Sequence, residues 1–161
     1  MFGVNVSVMS DLISSYYDSL LLSIHRGWTK GRFSNAKPLY IISIIDLIDC
    51  GLLLEDKLYY DDMLKSSYTK TCKLYEPDIK IAPFFKPYFH LAREEFYNIK
   101  WKEGVLPEHK WHTPSGKFLR EHVVYSFLDE NLWSLLQNTQ YRQHTKNEII
   151  NHYLRPDQES V

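Results

Sequence analysis

Apolar residues crowd most densely in residues 37–51, where Leu39, Ile41, Ile42, Ile44, Ile45, Leu47 and Ile48 leave Ser43, Asp46 and Cys50 as a narrow polar-to-neutral stripe. An apolar band that wide predicts a helix covered by neighbours on several sides. Pro38 suits its first helical position, and Gly51 suits the left-handed residue that ends it. This helix is the expected centre of the core.

Around it the pattern is weaker. Residues 1–9 alternate weakly, as a short strand or a loosely held terminus would. Ser10 is read as the N-cap of a helix carrying Leu12, Ile13, Tyr16, Tyr17, Leu20, Leu21 and Ile24 on one face, stopped by Gly27. Residues 27–36 form an exposed loop. Residues 52–60 hold a short strand, and Asp61 caps a helix through Met63, Leu64, Tyr68 and Leu74. Residues 84–91 and 96–101, short and aromatic, read as two strands joined by a turn at 92–95, with Pro87 forcing an edge or bulge. A second surface loop spans 102–116. Ser115 caps a short helix through Phe118, Leu119 and Val123, Asp129 caps a helix over 130–136, and Asn138 caps a closing helix that stops before Pro156. The expected fold is α+β: a mainly helical single domain over residues 1–161, with a central buried helix, a small β element and a loose tail at 155–161.

Composition agrees with a globular chain: of 161 residues, 44% are hydrophobic and 24% charged. No apolar run reaches the length needed to cross a bilayer, and no basic-then-apolar leader is present, so a cytoplasmic protein without membrane association is expected. Cys50 and Cys72 lack paired spacing, which argues for reduced structural thiols. The net charge of −1 argues against a uniformly basic nucleic-acid binder. Its distribution is uneven, however. Between Ser19 and Ile45 there is no acidic residue, while Arg26, Lys30, Arg32 and Lys37 accumulate positive charge. Aromatic residues make up 15%, several beside cations, as in Arg26-Gly27-Trp28 and Lys110-Trp111. That suits either a nucleic-acid surface or a core.

Catalytic signatures are sparse. A phosphate-cradling glycine loop and a nucleophile elbow are both missing. One formal nuclease pattern exists: Pro77-Asp78 followed by Glu108-His109-Lys110, in which two carboxylates would hold Mg²⁺ and the lysine would steady a water. It falls in irregular segments. His109, His112 and His122 have spacings that put no pair on one helical face with a nearby third ligand. Asp46 and Asp49 point to different sides of the central helix, as capping or lysine-pairing groups would. Neither an enzyme, a cofactor nor a metal is expected.

Three blocks in order resemble the N-terminal sulfur-binding domain of modification-dependent, type IV (McrA-like) HNH restriction endonucleases. The first is Lys37-Pro38-Leu39 leading into Ile44-Ile45-Asp46-Leu47-Ile48. The second is Pro87-Tyr88-Phe89-His90-Leu91 with Phe96 following. The third runs from Tyr125 through Leu128-Asp129 to the closing helix and Tyr153-Leu154. Two positions depart from the family pattern: Ala36 stands where a histidine is common, and Lys86 where a tyrosine is.

The resemblance implies binding of double-stranded DNA carrying a backbone phosphorothioate. Sulfur is larger, more polarizable and a poorer hydrogen-bond acceptor than oxygen, so an apolar cup accepts it while oxygen would lose its water there without replacement. Carried onto this chain, the cup would be walled by Pro87, Tyr88 and His90, with Lys37 and Lys86 near the negative charge. Arg26, Trp28, Lys30 and Arg32 would track neighbouring phosphates; Lys110, Trp111, His112, Ser115 and Lys117 would meet base edges or backbone. The family's HNH domain normally follows the closing helix, so a reader without a nuclease is expected, acting with a separate or fused one. The alternatives are a protein-interaction subunit of a restriction or defence complex, and a Mg²⁺ nuclease through Asp78 and Glu108.

Overall fold

The computed structural model describes residues 2–105 and 113–155, with side chains from residue 8 onward. In chain order it runs α1 (Phe2–Leu21), a hairpin of β1 (Trp28–Thr29) and β2 (Arg32–Phe33), α2 (Ala36–Asp49), α3 (Asp62–Tyr75) and α4 (Phe85–His90), which continues as a 3-10 turn (Leu91–Arg93). Next come β3 (Tyr97–Trp101), α5 (Gly116–His122), β4 (Val123–Leu128), α6 (Glu130–Leu136) and α7 (Thr139–Ile149), closed by a π turn (Ile150–Leu154). The described residues therefore form a mainly helical α+β domain with two small antiparallel sheets.

Helix α2 is the expected centre, but it begins at Ala36, so Pro38 stands within its first turn rather than at its first position. From Pro38 to Ile48 every side chain except Asp46 is buried, Ser43 included. It packs against α3, α4 and α7. Its two carboxylates both face α7 rather than different sides of the helix, as three-residue spacing allows: Asp46 accepts from Lys146 Nζ at 2.7 Å, and Asp49 from Arg142 Nε and Nη2 at 3.1 and 3.0 Å. Gly51 lies just past the helix with φ +77°, the left-handed C-terminal residue its sequence predicts.

The tyrosines are largely core. Tyr97 donates to the Tyr88 carbonyl at 2.7 Å, so at the 3.1 Å contact between the Tyr40 and Tyr97 hydroxyls Tyr40 is the donor. Tyr88 in turn donates to the Leu58 carbonyl at 2.7 Å. These bonds satisfy the polar ends of rings that are otherwise packed on one another.

Several local expectations are corrected. Residues 27–36, expected as a loop, hold the β1–β2 hairpin, and Val123 opens β4 instead of continuing the helix α5. Residues 2–9 are helical, not a strand or loose end, and Ser10 lies within α1 rather than capping it. The helix is anchored by buried Tyr17 and Leu21, and extension from a formed turn adds a hydrogen bond per residue without a new nucleus. It also ends at Leu21, well before Gly27. Residues 85–90 are helix α4, not a strand: buried Phe84, Tyr88 and Leu91 recur at helical spacing, and Pro87 sits in the first turn, where its missing N–H is no loss. The partner of β3 is consequently β4, in the register Tyr97↔Leu128. The expected strand at 52–60 shrinks to one bridge, Leu58 with Ser126, because Asp56 takes the Leu128 N–H at 2.8 Å through its side chain.

Candidate nucleic-acid interface

Between the hairpin, the N-terminus of α2, the end of α3 with the loop behind it, and α4 lies a cleft of about 730 Å³. The hairpin closes through Lys30 and Gly31, both left-handed (φ +53° and +78°), a two-residue turn that suits the twist of paired strands. It presents Lys30 and Arg32 along one rim. Trp28, 63% exposed, does not line the cleft but packs edge-to-face on Phe33, which does, at 4.8 Å.

Arg26 is held firmly. Its guanidinium lies 4.7 Å from the Phe33 ring centre and 4.8 Å from that of Tyr153, and Nη1 donates to Asn35 Oδ1 at 2.8 Å. The π turn brings Tyr153 here, and its hydroxyl ties the end of α1 by donating to Leu21 O at 2.6 Å and accepting from Ile24 N at 3.0 Å. Asn35 occupies the N-cap position of α2 without capping it. Its amide instead joins Arg26, Glu76 Oε2 (2.9 Å) and the Tyr153 carbonyl (3.4 Å).

On the opposite side stand Lys37, Lys86, Pro87, His90 and Arg93, with Ala36 beside Lys37. Lys37 reaches Glu94 Oε2 at 3.1 Å, with the two side chains only 11% and 6% exposed. Burial draws the Lys37 ammonium below the usual lysine range, and the Glu94 carboxylate partly offsets this. Glu94 Oε1 also meets His25 Nδ1 at 3.3 Å. His90 Nε2 is 2.7 Å from Thr113 Oγ1. Burial, and then the charges of Lys37, Arg93 and Lys86, lower the His90 pKa, which favours a neutral imidazole.

The cleft thus gathers seven of the chain's cations, Arg26, Lys30, Arg32, Lys37, Lys80, Lys86 and Arg93, against one lining carboxylate, Glu76. Lys30, Lys80, Lys86 and Arg93 make no ion pair among the described residues. Such a surface concentrates anions in a chain whose net charge is nearly zero.

Of the residues singled out from sequence, Arg26, Lys30, Arg32, Lys37, Lys86, Pro87 and His90 come together here. Tyr88 does not: it is wholly buried among Tyr40, Tyr60, Phe84 and Tyr97, so it is a core residue and not a cup wall. Ser115 and Lys117 also fall outside the cleft lining; Ser115 Oγ accepts from Phe118 N at 3.1 Å, capping α5 as expected. Lys110, Trp111 and His112 lie outside the described residues, as do Glu108 and His109 of the nuclease and metal patterns. Asp78 is exposed on the loop after α3, and His122 packs on Phe118 at 4.3 Å. The described residues contain no group of three or more acidic, histidine or cysteine side chains suited to a metal. No described helix is long and apolar enough to cross a membrane.

Sequence reasoning missed Lys80, Arg93, Glu76, Asn35 and Glu94. Arg93-Glu94 was legible only as a turn, and Glu76 meets Arg32 across 44 positions of chain, a separation that carries no linear signal. No protein-family model matches this chain, and no curated protein matches it.

Proposed function

We propose that this chain is a double-stranded DNA-binding module whose cationic cleft receives the sugar–phosphate backbone and favours a phosphorothioate. The observation that carries this reading is the convergence of seven lysines and arginines on one cleft in a chain of net charge −1. Ala36, Pro87 and a neutral His90 supply apolar and weakly polar wall beside Lys37 and Lys86. There a soft sulfur loses little hydration, whereas an ordinary oxygen gives up strong water contacts. The ordered blocks resembling sulfur-binding domains support the same choice. Such a reader works in the cytoplasm and needs a nuclease, separate or fused, to act on what it finds.

The test removes single charges. Lys86→Ala and Arg93→Ala should each weaken duplex binding and flatten its log–log salt dependence by about 0.9 per lost phosphate contact. Lys65→Ala, an exposed lysine of α3 outside the cleft lining, should change neither. Equal effects at all three positions would contradict the assignment.

A second reading, a protein-interaction subunit, has one observation in its favour: Val8, Met9, Leu12 and Tyr16 are exposed on successive turns of α1. Weak dependence on salt would favour it, because a protein interface need not release counterions.

A further inference from the structure

Glu76 is out of place in a cleft that gathers anion-binding groups. It ends α3 as the C-cap residue, and its side chain, 14% exposed, turns into the cleft. Two donors converge on a single oxygen: Arg32 Nη2 lies 2.6 Å and Asn35 Nδ2 2.9 Å from Oε2. A charged guanidinium and a neutral amide closing on one oxyanion is the arrangement that would hold a non-bridging oxygen of a phosphate diester. The hydrogen-bonded neighbours of Asn35, Arg26 and the Tyr153 carbonyl, fix the amide so that its Nδ2 keeps facing this position.

We propose that Glu76 is a built-in competitor for the DNA backbone, occupying with its carboxylate the anion position framed by Arg32 and Asn35, so that a phosphate enters only by displacing it. This rests on the reading of the cleft as a DNA site. Displacement needs only side-chain rotation, since Arg32 stands on a two-residue strand and remains 35% exposed, and Glu76 precedes the exposed segment from Pro77 to Lys80. An exchange of one monoanion for another at the same donors yields little net affinity. An unmodified duplex therefore gains almost nothing from Arg32, and binding must be completed by contacts elsewhere in the cleft. Glu76 thereby acts as a specificity-determining residue: it lowers affinity for DNA in general and leaves discrimination to the wall formed by Ala36, Pro87 and His90.

Glu76→Gln preserves shape and one acceptor while removing the charge. Titrated with an unmodified duplex over a salt series, this variant should bind about tenfold more tightly than wild type, with a log–log slope steeper by about 0.9, one phosphate contact. Glu76→Ala should move the same way, with circular dichroism melts establishing that both variants are folded. The gain must vanish in the double variant Glu76→Gln/Arg32→Ala, because Arg32 is the group set free. Unchanged or weaker binding of the single variants would overturn the proposal and leave Glu76 as a support for Arg32. A gain that survives loss of Arg32 would also overturn it, reducing the effect to the general field. Failure of the wild-type protein to bind any duplex at low salt would instead overturn the reading of the cleft itself.

Discussion

His90 shows how one side chain inherits its chemistry from its surroundings, near and far in sequence. Burial is the larger cause of its lowered pKa, and Lys37, Arg93 and Lys86 add to it. A bound phosphate would offset those three charges, raise the His90 pKa in the complex and so take up a proton on binding. Duplex affinity should therefore increase as pH falls below about 7, through the His90 pKa of the complex towards the lowered one of the free protein. Fluorescence anisotropy titrations at several pH values check this: His90→Gln should flatten the dependence, and an undiminished slope in that variant would exclude His90 as its source. Of the residues that the family resemblance singles out, Lys37, Pro87 and His90 line the cleft. Tyr88 does not, and a tyrosine two residues from His90 carries no mark of direction in the sequence. Only the helical register of α4 turns Tyr88 inward to the Leu58 carbonyl while His90 faces the cleft.

At the scale of elements, legibility followed the strength of the local signal. Helix α2 was readable because the length of its apolar run and the Gly51 stop agree, although its isoleucines lean towards strand. The caps from Asp61, Ser115 and Asn138 bond as their sequence positions imply, whereas Asp129 sits at the N-cap of α6 without a side-chain bond to it. The aromatic segment of α4 was not readable, since Phe, Tyr and Pro favour strand edges as well as first helical turns, and packing on α2 decided the matter. Gly51 allows a direct check. Its φ of +77° lies in the left-handed region, and a Cβ there would meet nothing within 4 Å, so the penalty for Gly51→Ala is purely conformational. It should destabilise the domain by about 1 kcal/mol. Urea unfolding would reveal this as a lower midpoint at constant slope, and an unchanged midpoint would contradict the assigned end of α2.

Across the whole molecule, the cleft is a property of the fold rather than of any segment. Residues 25–37 supply one part of its lining with no acidic residue among them, which the charge pattern announced; residues 76–93 supply another, and there Lys80 and Arg93 are interleaved with acids that face elsewhere or pair. Net charge concealed the result, because the acids of residues 46–62 balance the cations without sharing their surface. What the two stretches jointly recognise is tested most directly by measuring binding to matched duplexes, one with a phosphorothioate of defined stereochemistry and one without, over a salt series and several core sequences. Both duplexes should bind at low salt and weaken steeply as salt rises, with the sulfur-bearing duplex held more tightly. Equal affinity would remove the sulfur preference, and no binding to either duplex at low salt would contradict the DNA-binding account as a whole.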